Sequence, residues 1–190
     1  MFLIICELKI SLINSYNFNQ LNKKVLIIGT EQQEEVCCLV QYLLSKKYTV
    51  CILDDGITKI LLKKNNLKKI CSREVNNTKF TYIFDFIKKK KFQQIYYFPK
   101  KFNNKKENKH QENILTNNLI TLANVLETIR ILNKQIKFVN IFYSIRKDYK
   151  SSNKKISVLE SYMSYELIEN YKEVFKLNIV NLKISHIIKI

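Results

Sequence analysis

Two rhythms of apolar and polar positions alternate along the chain. Short, nearly continuous apolar runs rich in β-branched and aromatic residues occupy Val25 to Ile28, Tyr48 to Leu53, Gln93 to Phe98, Ile136 to Phe142 and Leu177 to Ile184. Each reads as a buried strand, and Lys69 to Ser72 reads as a weaker one. Between them lie longer segments whose apolar residues recur with helical spacing: Gln32 to Lys46, Thr78 to Lys91, Glu112 to Asn133 and Ser157 to Lys176. Pro99, the single proline, closes the fourth run, and Lys100 to His110 is the one polar stretch expected to be a mobile loop. Strands separated by helices imply right-handed crossovers, hence a parallel sheet with helices on both faces. The expected fold is a doubly wound α/β domain in the order 3-2-1-4-5-6, with Gly29 at the carboxyl end of the central strand.

Composition changes this picture little. A chain of 190 residues, 46% of them hydrophobic, holds one well-buried core, so a single domain is expected over residues 23–190. Residues 1–22 form an N-terminal extension without assignment. It starts "MFLIICELKI", but Glu7 and Lys9 cut the apolar run short of the roughly 7–15 residues a signal sequence uses. No run reaches the ~18 apolar residues of a membrane span. The formal charge of +17 raises the question of a polyanionic partner. Its lysines at 88–91, 100, 101, 105, 106 and 109 flank a turn and a loop and are not interleaved with aromatic residues, which speaks against nucleic acid. Five cysteines, Cys6, Cys37, Cys38, Cys51 and Cys71, are odd in number and have no C-x-x-C spacing. Neither a disulfide framework nor a metal site is expected, and a reducing, cytoplasmic setting is the simplest reading.

Four stretches carry a resemblance. "KKVLIIG" is a first strand ending on a glycine; "YLLSKKYTVCILDDG" matches "YLLxxGYxVxxLDxL"; "NLITLANVLE" matches "NVxGTxNVLE" with Asn118, Asn124, Val125, Leu126 and Glu127 identical; and "KFVNIFYS" matches "KFVxxSSxS". From Lys23 to about Ser185 the chain resembles the Rossmann-like, NAD(P)-binding half of the extended short-chain dehydrogenase/reductases, the NAD-dependent nucleotide-sugar epimerases and dehydratases. "QQIYYFP" adds a likeness to the "DQIYHLA" of the UDP-glucuronate decarboxylase branch. The resemblance implies NAD or NADP as cofactor, held by Gly29, Thr30, Asp54 and Asp55, with Asp54 on the ribose-binding position. It also implies a nucleotide-sugar substrate, and Ser144 on the Ser/Thr position that orients the sugar hydroxyl. The chain ends at "HIIKI", where family enzymes continue into a substrate lobe, so that lobe is expected to be missing.

The departures fall where chemistry would occur. In the family's G-x-x-G-x-x-G, the second and third glycines correspond to Gln32 and Glu35, or to Gln33 and Val36 if the turn is one residue longer, and the count from Gly29 to Asp54 favours the longer turn. Those glycines let the backbone approach a pyrophosphate and the helix pack on the strand. Thr30 with Gln33 forms instead a capping-box pattern, and Glu31, Glu34 and Glu35 place carboxylates at the helix start, where the helix dipole favours them. The family's Tyr and Lys, four residues apart, fall on Ser161 and Tyr165 when Ser164 and Glu169 are matched. A slide of one residue supplies Tyr162 but leaves Glu166 in place of the cation. The expectation is therefore a degenerate epimerase/dehydratase-like domain kept as a structural or interaction module with a possible protein partner. The alternatives are a reduced, active enzyme borrowing its substrate lobe from a partner, and a basic nucleic-acid-binding protein.

Overall fold

A computed structural model describes residues 23–29, 33–54, 70–74, 79–100, 108–132, 135–143 and 152–184. The strands are β1 (Lys24–Ile28), β2 (Thr49–Asp54), β3 (Ile70–Glu74), β4 (Gln94–Tyr97), β5 (Lys137–Tyr143) and β6 (Ile179–Ile184). The helices are α1 (Gln33–Ser45), α2 (Phe80–Lys90), α3 (Asn108–Ile131) and α4 (Ser152–Phe175). All six strands join one sheet in the order β3-β2-β1-β4-β5-β6, and every pairing is parallel. The doubly wound arrangement read from the sequence is the fold.

Alternation along β1 explains how the core divides. Side chains on a strand point to opposite faces in turn, so Val25 and Ile27 face one way and Leu26 and Ile28 the other. The first pair packs with Val50, Ile52 and Tyr96 against Val36, Leu39, Val40 and Leu43 of α1. The second pair packs with Cys51, Leu53, Ile95 and Phe138 against Ile83, Phe86 and Ile87 of α2, Leu122, Val125, Leu126 and Ile129 of α3, and Ile168 of α4. Because both faces of the central strands are covered, these strands read as unbroken apolar runs.

Two boundaries differ from the sequence reading. Helix α3 begins at Asn108, inside the stretch expected to be a loop, and α4 begins at Ser152, ahead of Ser157. Both added segments, "NKHQ" and "SNKKI", are mostly polar. An amphipathic pattern reports only apolar positions, and a leading turn of Lys, Gln and Asn adds none to it. The capping pattern at Thr30 and Glu31, the remainder of the predicted loop at 101–107, and residues 1–22 lie outside the described residues. Helices α1, α2 and α4 are each followed by a left-handed residue, Lys47 (φ 62°), Lys91 (φ 55°) and Lys176 (φ 53°). That position favours glycine, and this chain has only two glycines.

Candidate functional site

The strand order reverses between β1 and β4, and in open parallel sheets the crevice at such a switch point, at the carboxyl ends of the strands, is where ligands sit. Gly29 leaves β1 at this point with φ +83°. A Cβ there would stand 2.0 Å from the Phe98 carbonyl oxygen, just past β4. The Phe98 N–H donates to Ile28 O at 2.8 Å, which pins that carbonyl beside the turn. Glycine is thus required by the approach of two strands, whatever the crevice holds. The Gly29 N–H donates to Leu53 O at 3.3 Å, and the next residue, Asp54, ends β2. Gly29 and Asp54 are therefore brought to the same edge. Thr30, Asp55 and Ser144 lie outside the described residues, Ser144 directly after the end of β5.

Helix α1 decides between the two alignments of the lost glycines. Glu35 is half-buried, whereas Val36 is 1% exposed and packs between the helix and Val25, Ile27 and Val50. The residue facing the sheet is Val36, so the longer turn is the structural match. A valine side chain fills the space that a glycine would leave for close helix–strand contact. The strand end keeps its glycine, and Val36 stands where the glycine of close helix–strand packing would be.

On α4, neither alignment turns a tyrosine to the sheet. Tyr162 is 62% and Tyr165 51% exposed, Glu166 is exposed, and the Ser161 hydroxyl donates to Ser157 O of its own helix at 2.9 Å. The sheet-facing register carries Glu160 instead, 7% exposed, two helical turns before buried Ile168. Asn118 of α3, also buried, meets it: its Nδ2 donates to Glu160 Oε1 at 2.7 Å and to Lys100 O at 3.0 Å, while its Oδ1 accepts from Lys100 N–H at 3.0 Å. Tyr97 of β4 completes the group by donating its hydroxyl to Asn118 O at 2.8 Å. One amide thus grips both backbone groups of Lys100 and ties the chain after β4 to α3 and α4.

Burial pushes the Glu160 carboxyl up to about 7, with the Asn118 hydrogen bond pulling the other way. Burial also lifts Tyr97 well above its usual value, and the nearby Glu160 charge adds to this. These groups hold backbone in place; none stands in a charge environment that would favour a phenolate. The sequence reading matched Asn118 to a family motif but missed its partnership with Glu160. The available signal was a carboxylate on the same helical stripe as Ile168. Farther down, at the C-terminal ends of α3 and α4, Glu127 accepts from Arg130 Nε at 2.7 Å and from the Tyr171 hydroxyl at 3.0 Å. Among the described residues no group of His, Cys, Asp or Glu could hold a metal, and Cys37, Cys38 and Cys51 form no disulfide. No described helix is long and apolar enough to cross a membrane.

No protein-family model matches the chain, and no curated protein sequence does. Solved structures match over most of its length. The Bordetella bronchiseptica enzyme WbmH, in complex with NAD+, is 17% identical with a TM-score of 0.62, covering 87% of this chain and 57% of its own. The UDP-Glc/GlcNAc 4-epimerase of Campylobacter jejuni is 15% identical with a TM-score of 0.66, covering 86% and 53%. A short-chain dehydrogenase/reductase from Vibrio parahaemolyticus is 12% identical with a TM-score of 0.68, covering 85% and 83%. The chain spans a little over half the length of WbmH and of the epimerase. Gly29, the β1–β4 switch point and the six-stranded order thus belong to a chain that carries the Rossmann-like α/β fold shared by these epimerase and short-chain dehydrogenase/reductase structures.

Proposed function

We propose that this chain is an epimerase/dehydratase-like domain that has lost its chemistry and kept its fold as a structural or interaction module. The observation that carries this reading is the inward face of α4. Where the resemblance calls for a tyrosine and a lysine four residues on, the sheet-facing group is Glu160, tied by Asn118 to backbone. Tyr162, which one alignment puts on the tyrosine position, and Tyr165, which the other puts on the lysine position, are 62% and 51% exposed. Val36 on α1 supports the same conclusion.

A second reading, a reduced enzyme that binds NAD(P) and acts on a nucleotide sugar with a partner's lobe, draws support from Gly29 and Asp54 meeting at one edge. A cofactor titration separates the two. Ligand that binds only the folded state stabilises it by RT ln(1 + [L]/Kd), so millimolar NAD over a micromolar site adds about 4 kcal/mol. The expected result is no thermal shift with NAD(H) or NADP(H). A shift of several degrees with either would overturn the module reading.

A further inference from the structure

All six strands run parallel, so their amino ends lie along one edge of the sheet, and the helices return there to start the next strand: α1 leads into β2 through residues 46–48, α2 into β4 through 91–93 and α4 into β6 through 176–178. Backbone bonds draw these ends side by side. The Thr49 N–H donates to Lys23 O at 2.9 Å, Gln93 N–H to Lys24 O at 3.0 Å, Lys137 N–H to Gln93 O at 2.9 Å and Phe138 N–H to Asn178 O at 2.9 Å. The face around this row is cationic: Lys46 and Lys47 stand exposed on the α1 side of the sheet, and Lys88, Lys89, Lys172 and Lys176 on the side of α2 and α4. A cation at a helix carboxyl end complements the helix dipole, but one per helix does that, and the four consecutive lysines 88–91 exceed it. The carboxylates Glu127 and Glu169 at this end are taken up by Arg130 and Lys172. The opposite end mixes signs, with Lys79 and Lys100 among Glu35, Asp54 and Glu112. Residues 172–176, "KEVFK", are all exposed, Val174 at 60% and Phe175 at 42%, so the last turn of α4 stands clear of the core.

We propose that this face, at the amino ends of the strands, is the surface by which the protein docks on an anionic lipid bilayer. Two features select a bilayer among polyanions. The cations are spread over an area, on both sides of a six-stranded sheet about 24 Å across, which fits a plane, whereas a duplex is met along a stripe or by one element in a groove. Val174 and Phe175 project among lysines, and the boundary between lipid headgroups and acyl chains accepts both kinds of side chain. The proposal goes beyond the module reading and does not depend on whether a cofactor binds.

Co-sedimentation of the full chain with phosphatidylcholine vesicles, with and without 30% phosphatidylserine, tests it at 100 and 500 mM NaCl. The expected result is binding to the anionic vesicles alone, weakened roughly tenfold or more at the higher salt. Lys88→Gln with Lys89→Gln, and separately Lys46→Gln with Lys47→Gln, should each weaken it by roughly 30-fold, or about fivefold per lysine. Lys79→Gln with Lys100→Gln, the charge-matched change at the opposite end, should leave it within about threefold, because the length of the strands exceeds a screening length. Val174→Ser should weaken it by roughly threefold or more. Far-ultraviolet circular dichroism checks that each variant keeps its fold. Absence of binding to the anionic vesicles at 100 mM NaCl, equal losses for all three lysine pairs, no loss with Val174→Ser, or tighter binding to a 24-base-pair DNA duplex than to the vesicles at the same salt would each overturn the proposal.

Discussion

Helices α1 and α4 depart from the pattern of the resemblance in opposite ways. On α1 the departure is apolar. Val36 replaces a glycine and joins the sheet-facing stripe of Leu39, Val40 and Leu43, so the helix packs as an ordinary amphipathic element. On α4 the departure is polar. Glu160 lies where the helix meets the sheet, and its burial is tolerated because Asn118 donates to it and the carboxyl titrates near neutrality. The difference teaches that a helix held by an apolar stripe packs independently of pH, whereas one held through a buried carboxylate does not.

The largest expected effect falls on the turn between these halves. Gly29→Ala must place a Cβ 2.0 Å from the Phe98 carbonyl at φ +83°, and the strands cannot separate without breaking the Phe98 to Ile28 bond. It should cost about 4 kcal/mol or abolish folding, as read by urea denaturation. A cost below about 1 kcal/mol would mean that the two strands part easily at their ends.

Next comes Glu160. Its folded-state value of about 7 lies above the ordinary 4.5, so the fold favours the neutral acid. The resulting stabilisation is fully present below pH 4.5 and is lost as pH rises through 7, with an amplitude on the order of 3 kcal/mol. Glu160→Gln keeps an acceptor for Asn118 and removes the charge. The variant should therefore gain on the natural protein between pH 5 and pH 8, by up to that amount. Parallel stability curves for the two proteins would sink this assignment. On α1, Val36→Ala should cost about 2 kcal/mol through the cavity it leaves, equally at pH 5 and pH 8. A cost that changes with pH would remove the contrast between the helices.

The smallest effect tests neither helix but the glycine shortage behind both. Lys91 holds φ 55° while its N–H donates to Ile87 O at 3.3 Å. Lys91→Gly relieves left-handed strain at the expense of unfolded-chain entropy and should raise stability by about 0.5–1 kcal/mol. A loss of stability would show that the left-handed backbone at Lys91 is no burden to the fold.

The sequence by itself determined the sheet. Buried parallel strands must be apolar on both faces, and alternation with helices leaves few ways to connect them, so the strands, their order and the position of Gly29 were legible from spacing and resemblance. The retained glycine and the lost ones were likewise visible as residues. Only the tertiary structure decided what each was for. The collision that reserves Gly29 comes from Phe98, on a strand that meets β1 only when the sheet forms. The count from Gly29 to Asp54 already favoured Val36 over Glu35 at the third glycine position, but its packing against Val25, Ile27 and Val50 appears only in the fold. In the Asn118, Glu160 and Lys100 network the bonded residues stand 18 and 42 positions apart. Periodicity records which face a residue occupies along its own helix, but not which side chain of another element meets it there.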